Sequence, residues 1–205
     1  PTLRDAVLIQ WCLKGIAERP GFGDAEARAV LAGTGLGAAW IGGSGGTRAD
    51  LAADTHGALS DTALSDHVNN YASVAAATPY LSLTAGCVER DPHTLSPVTH
   101  SAMNTALSFA TRNGTVAGYV FRLWVLVAPK PAPELPGFAE EVRSLLLFDH
   151  FTIFHEEGEI AAKLFVPARQ VEWVARFEPD LSEAWRDPNP DFVPPERISN
   201  VRELR

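Results

Sequence analysis

The segment His155-Glu156-Glu157-Gly158-Glu159-Ile160-Ala161-Ala162-Lys163-Leu164-Phe165-Val166-Pro167 constrains this chain most, because a carboxylate cluster runs directly into a strand-like pattern. On the two-residue repeat of an extended chain, Glu157, Glu159, Ala161 and Lys163 share one face, and Ile160, Ala162, Leu164 and Val166 form the apolar other. Like charges about 6 to 7 Å apart on one rigid element repel each other. A fold that keeps them either has a positively charged or electron-poor guest for them, or sets them on a solvated edge strand where charge blocks aggregation. The segment alone fits both readings.

A chain of 205 residues is long enough to bury a substantial core, and 46% hydrophobic with 20% charged residues is globular rather than disordered composition. One domain over 1–205 is expected, with N-terminal helices over 1–33, a core over 36–178 and a surface-wrapping tail over 179–205. The net charge of −8 opposes a general binder of nucleic-acid backbones, which needs clustered Lys and Arg. Only Cys12 and Cys87 are present, without CxxC spacing, which suggests neither a disulfide framework nor zinc. No apolar run is long enough to span a membrane, and the N-terminus lacks signal-peptide order, so a cytoplasmic protein with no membrane partner is expected, delivery into another cell being left open.

Leu3, Val7, Leu13 and Ile16 stand at near-helical spacing, and Pro20, Gly21 and Gly23 close that segment. Asp24 suits an N-cap for a second helix ended by Gly33. Ala38 to Ile41 reads as a short strand between glycines. Gly33-Thr34-Gly35-Leu36-Gly37 has the look of a dinucleotide loop, but it follows a helix and no GK[ST] is near. Helices are predicted over 60–72 and 101–112, the latter with an inner stripe of Met103, Ala106, Leu107 and Ala110 and a stop at Asn113-Gly114. Residues 87–100 read as a polar loop, Tyr119 to Ala128 as a strand buried on both faces, 137–144 as a helix, Leu145 to Phe154 as strand-rich, and 170–177 as a strand with Val171, Trp173, Ala175 and Phe177 on one face. Strands and helices without regular βαβ alternation indicate an α+β fold.

Thr78 to Thr84 alternates, which places Tyr80, Ser82 and Thr84 on one strand face and Leu81 with Leu83 on the other. Hydroxyls on an interior strand need partners, because an unbonded buried hydroxyl is costly. A half-exposed strand meets that need equally well.

The hydroxyl strand is followed by Ala106-Leu107-Ser108-Phe109-Ala110 on a helix, by Gly118-Tyr119-Val120-Phe121 on a strand, and by Glu157-Gly158-Glu159-Ile160 leading to Val166-Pro167. In that order these motifs, over roughly residues 55 to 178, resemble the mono-ADP-ribosyltransferase family, NAD-using enzymes that include many bacterial toxins. The resemblance implies an α+β core of two packed sheets with flanking helices. It implies a glycosyltransferase-type reaction in which NAD, as substrate, is cut between nicotinamide and ribose and ADP-ribose passes to an acceptor, here unknown. Ser82 and Thr84 resemble the hydroxyl motif that supports the NAD pocket, with Tyr80 on the same face. Glu159 resembles the catalytic glutamate, and Glu157 the first acid of the pair that engages an arginine acceptor. His67 resembles a histidine found ahead of the hydroxyl strand, although by itself it reads as a solvated helix residue. Phe154, in the turn 151–157, would face the acceptor.

The family also places an arginine, or a histidine, on its first core strand to hold the cofactor. Arg48 is the best candidate here and His56 the second. The sequence departs from the family at Leu83 in the hydroxyl motif and at the insertion over 87–100, which leaves two alternatives to the transferase: an NAD glycohydrolase, or a non-catalytic binding domain with a degenerate site. A metal enzyme is disfavoured, since His150 and His155 are five apart and no HExxH is present. Nor does a GxSxG motif suggest serine catalysis.

Overall fold

The run from Tyr119 to Val127 carries nine residues of which only Arg122 is polar, so a strand built from it has to be covered on both faces and paired along both edges. The computed structural model, which describes residues 8–43, 59–90, 97–127, 138–141 and 159–197, arranges the fold around that strand. In chain order the elements are β1 (Leu8–Ala17), α1 (Asp24–Ala29) with a π-helical turn at Val30–Thr34, β2 (Leu36–Gly37), α2 (Ala39–Gly43), α3 (Asp61–Asn69) and α4 (Tyr71–Val74). They continue with β3 (Tyr80–Thr84), β4 (Cys87–Arg90), β5 (Pro97–His100), α5 (Ala102–Thr111), β6 (Gly118–Val127), β7 (Phe138–Glu141), β8 (Glu159–Lys163), β9 (Phe165–Val166), β10 (Val171–Phe177) and β11 (Glu183–Pro188). The fold is α+β, with one seven-stranded sheet and two ribbons, β2–β9 and β4–β5.

The large sheet turns back on itself. β6 pairs antiparallel with β1 over its whole length, from Leu8↔Val127 to Ala17↔Gly118. Its other edge is shared, with β10 against residues 118–123 and β7 parallel to Leu126 and Val127. From β7 the ladder runs through β8 and β3 back to β1, so five strands close a ring. The closing contact is thin: β3 meets β1 through the single pair Leu13↔Thr84. Beyond it the two strands part. The described residues thus form one continuous large sheet rather than two separately bonded ones.

Helix α5 lies on this sheet with nothing between the backbones. A Cβ on Gly15 would overlap the Ala106 carbonyl, and one on Gly118 would overlap that of Ala110, so the helix seats where β1 and β6 present glycines. The predicted stripe is the one that packs: Ala106 and Ala110 are buried, and Met103 and Leu107 lie against them with Val120, Trp173, Ala175 and Phe177. The opposite core joins Cys12, Leu81, Leu83, Phe121, Ile160, Ala162 and Val174.

Five sequence expectations need correction. Residues 8–17 form a strand, not a helix, because β6 requires a full-length partner and ten backbone pairs outweigh local spacing. Ala39 to Ile41 is helical rather than extended. The 87–100 stretch contains a paired ribbon instead of an open loop. Within 137–144, Phe138–Glu141 joins the sheet as a strand, which caps the end of β6 left open by β10. The N-cap of α1 is Gly23, with Asp24 one position inside it. Helices 61–69 and 102–111 fall where predicted, and Ser60 caps the first by accepting a hydrogen bond from the Ala63 amide. Leu145 to Phe154 lies outside the described residues. Among those residues no helix is long and apolar enough to cross a membrane.

Candidate functional site

β8 lies between β3 and β7, so Glu159 starts a central strand and not a solvated edge. It is 7% exposed. A carboxylate held there faces a fixed environment, because both neighbours of its strand are hydrogen-bonded. The antiparallel register sets Thr84 opposite Glu159 and Ser82 opposite Ala161, which brings two hydroxyls of β3 beside the acid.

His67 completes the group. It projects from the buried side of α3 at 2% exposure, so the solvated-helix reading is wrong: the stripe Leu64–Val68 turns that face onto β3. Its Nδ1 lies 2.7 Å from Thr78 Oγ1, and its Nε2 lies 2.9 Å from Ser82 Oγ and 3.5 Å from Glu159 Oε1. Tyr80 stands in a layer beneath, packed with Leu64, Val68 and Ala161, its ring 5.6 Å from the imidazole. It supports His67 and does not line the cleft.

A cleft of about 160 Å³ opens where β1 and β3 part. Glu159, Ser82, Thr84 and His67 line one side, and Lys14, Gly15, Thr105, Ala106 and Phe109 the other. Typical cofactor pockets measure about 300 to 1,000 Å³, so this cavity is too small to enclose a whole dinucleotide. Tyr71 and Phe109 stand at the cleft half exposed, on α4 and α5, and the Tyr71 ring meets His67 edge-on at 5.5 Å.

Lys14 is the residue that sequence reasoning missed. Burial lowers its pKa from 10.5 to about 8, opposed by the charge of Glu159 across the cleft and reinforced by Arg19. Among the described residues it has no ion-pair partner. An ammonium partly withdrawn from water, with no such partner, costs stability, and such groups concentrate where they meet a ligand. Its signal in the sequence was a single Lys within the apolar run 8–17, legible only once that run is seen as a strand.

Ser82, Thr84, His67 and Glu159 are therefore brought together, with Tyr80 behind them. Glu157, Arg48, His56 and Phe154 lie outside the described residues, as do His150 and His155. Among the described residues, no three His, Cys, Asp or Glu side chains converge as a metal site requires.

Among the solved structures similar in backbone to this chain, two are representative. One is a guanine-specific ADP-ribosyltransferase, 11% identical at a TM-score of 0.44, with 93% of this chain and 81% of that one covered. The other is the scabin toxin from Streptomyces scabies in complex with NADH, 13% identical at 0.44, with 92% and 81% covered. No protein-family model matches the sequence, and no curated protein does. Likeness this distant assigns no roles to side chains, which have to be argued from the cleft itself.

Proposed function

We propose that this chain is a mono-ADP-ribosyltransferase that cleaves the nicotinamide–ribose bond of NAD in the cleft between β1 and β3 and passes ADP-ribose to an acceptor. The observation that carries the proposal is the buried Glu159 carboxylate sharing one cleft with the Ser82 and Thr84 hydroxyls and with the Lys14 ammonium, which has no ion-pair partner among the described residues. Support comes also from the motif order in the sequence, which resembles that family.

The two charges suit the two ends of the reaction. As the C–N bond to nicotinamide breaks, its electron pair leaves with the nicotinamide, and positive charge develops on the ribose. A fixed carboxylate in a poorly hydrated cleft stabilises that charge, and loss of such a preorganised group typically costs on the order of 10² to 10³ in rate. Glu159 takes this role. Ser82 and Thr84 supply hydrogen bonds to ribose hydroxyls, and Lys14, on the first core strand, takes the anionic part of the dinucleotide in place of the arginine expected at 48. The exposed ring faces of Tyr71 and Phe109 offer a flat apolar surface to the ring systems of the substrate. Glu157 remains the candidate for engaging an arginine acceptor through its guanidinium.

Incubation of the protein with NAD, with and without cell extract, tests this by nicotinamide release. Release with extract and modified protein in it marks the transferase; release without extract marks a glycohydrolase. No release in either case, together with a thermal shift on adding NAD, would mark a binding domain and refute the catalytic assignment.

A further inference from the structure

We propose that Thr78, which does not line the cleft, fixes the tautomer of His67 and so makes Ser82 a hydrogen-bond donor into the cleft. Thr78 is 4% exposed and stands just before β3. Its Oγ1 accepts a hydrogen bond from the Tyr80 amide at 3.3 Å and lies 2.7 Å from His67 Nδ1; no other described group is bonded to it.

A hydroxyl has one proton to give. If His67 carried its proton on Nδ1, that N–H would donate to Thr78, and the Thr78 proton would have no acceptor in a buried position. Leaving a buried donor unpaired is disfavoured enough to bias the equilibrium by roughly tenfold or more. The arrangement that satisfies every group has Thr78 donating to Nδ1, with the imidazole proton on Nε2.

Two steps follow from that proton. Nε2–H donates to Ser82 Oγ at 2.9 Å, nearer than Glu159 Oε1 at 3.5 Å. Ser82 then has its acceptor side occupied, and its own proton is free to point at Glu159 or at a guest, because the side chain lines the cleft and bonds no other described group. With the opposite tautomer Ser82 would spend that proton on Nε2 and could only accept. Thr78 is thus a positioning residue acting through His67 and Ser82. Its consequence for the reaction rests on the transferase proposal, whereas the tautomer follows from the hydrogen bonds alone.

Long-range proton–nitrogen NMR correlation on ¹⁵N-histidine-labelled protein, in neutral to mildly alkaline buffer, reads the tautomer directly. The expected result is a protonated Nε2 and a bare Nδ1 for His67; a proton on Nδ1 overturns the proposal. In NAD titrations Thr78→Val is expected to weaken binding by roughly 2- to 12-fold, the worth of one neutral hydrogen bond, and Thr78→Ser to restore it. On a Ser82→Ala background, Thr78→Val should add nothing. An equal loss in both backgrounds means that Thr78 acts through packing, and the relay is refuted. If wild-type protein binds no NAD, the transferase proposal fails while the NMR result still decides the tautomer.

Discussion

Replacement of Lys14 by Met is expected to stabilise the ligand-free protein and at the same time weaken its hold on NAD. The side chain is long enough to fill the same space without a charge. A drop in the lysine pKa from 10.5 to about 8, with burial the larger cause and the Glu159 charge too weak to offset it, corresponds to roughly 3 kcal/mol against the charged form. Partial contact with solvent makes that a ceiling. The unfolded chain keeps this proton up to about 10.5 while the folded chain releases it near 8, so between those values the unfolded state binds more protons and stability rises with pH. The penalty is fully present below about 8 and fades towards 10.5. In urea unfolding, Lys14→Met is therefore more stable than wild type at pH 7, by up to about 3 kcal/mol, and the gap narrows steadily on the way to pH 10. The stabilising effect of added NAD should fall in parallel, by about 10- to 100-fold in affinity for a lost charged hydrogen bond. A variant that is less stable than wild type, with a gap that does not change with pH, would falsify the claim that a partly desolvated lysine charge without an ion-pair partner among the described residues sits in the cleft.

Two further outcomes follow from the fold. Gly118→Ala places a Cβ on the Ala110 carbonyl, so α5 has to move off the sheet; a loss of more than about 2 kcal/mol in urea unfolding is expected, and an unchanged midpoint would show that the helix is not seated there. Arg176 is held by Glu18, Asp24 and Glu178, and the hydrogen bond from the Tyr119 hydroxyl, joined by that from Arg176, keeps the Asp24 carboxyl below its ordinary value. That contribution is present above about pH 4 and is lost as the pH falls further; Arg176→Met should reduce the share of it that the guanidinium supplies, the Tyr119 hydrogen bond keeping the rest, while leaving NAD turnover intact, and a turnover loss without any change in the acid limb of the stability profile would contradict a structural role.

The placement of the candidate residues was legible where alternation alone decides orientation. Tyr80, Ser82 and Thr84 share a face because a strand has period two, and the same rule turned Glu159 away from Ile160 and Ala162. Distances between elements were not legible. His67 on its own helix looks solvated, and only the seat of α3 on β3 buries it between Thr78 and Ser82. Lys14 was missed for a related reason. Residues 8–17 carry apolar side chains at spacings that suit a helix, and the demand that overrides them comes from β6, more than a hundred residues later. The ring closure at Leu13↔Thr84, which opens the cleft, is likewise a property of the whole sheet.

The most direct measurement compares nicotinamide release by wild-type protein and Glu159→Gln, with NAD affinity measured for both. Gln keeps the shape and the hydrogen-bonding reach of the side chain but not its charge. A rate lower by roughly 10² to 10³ with NAD affinity nearly unchanged is the predicted result. Equal release by the two proteins would contradict it, because the carboxylate would then have no part in breaking the bond.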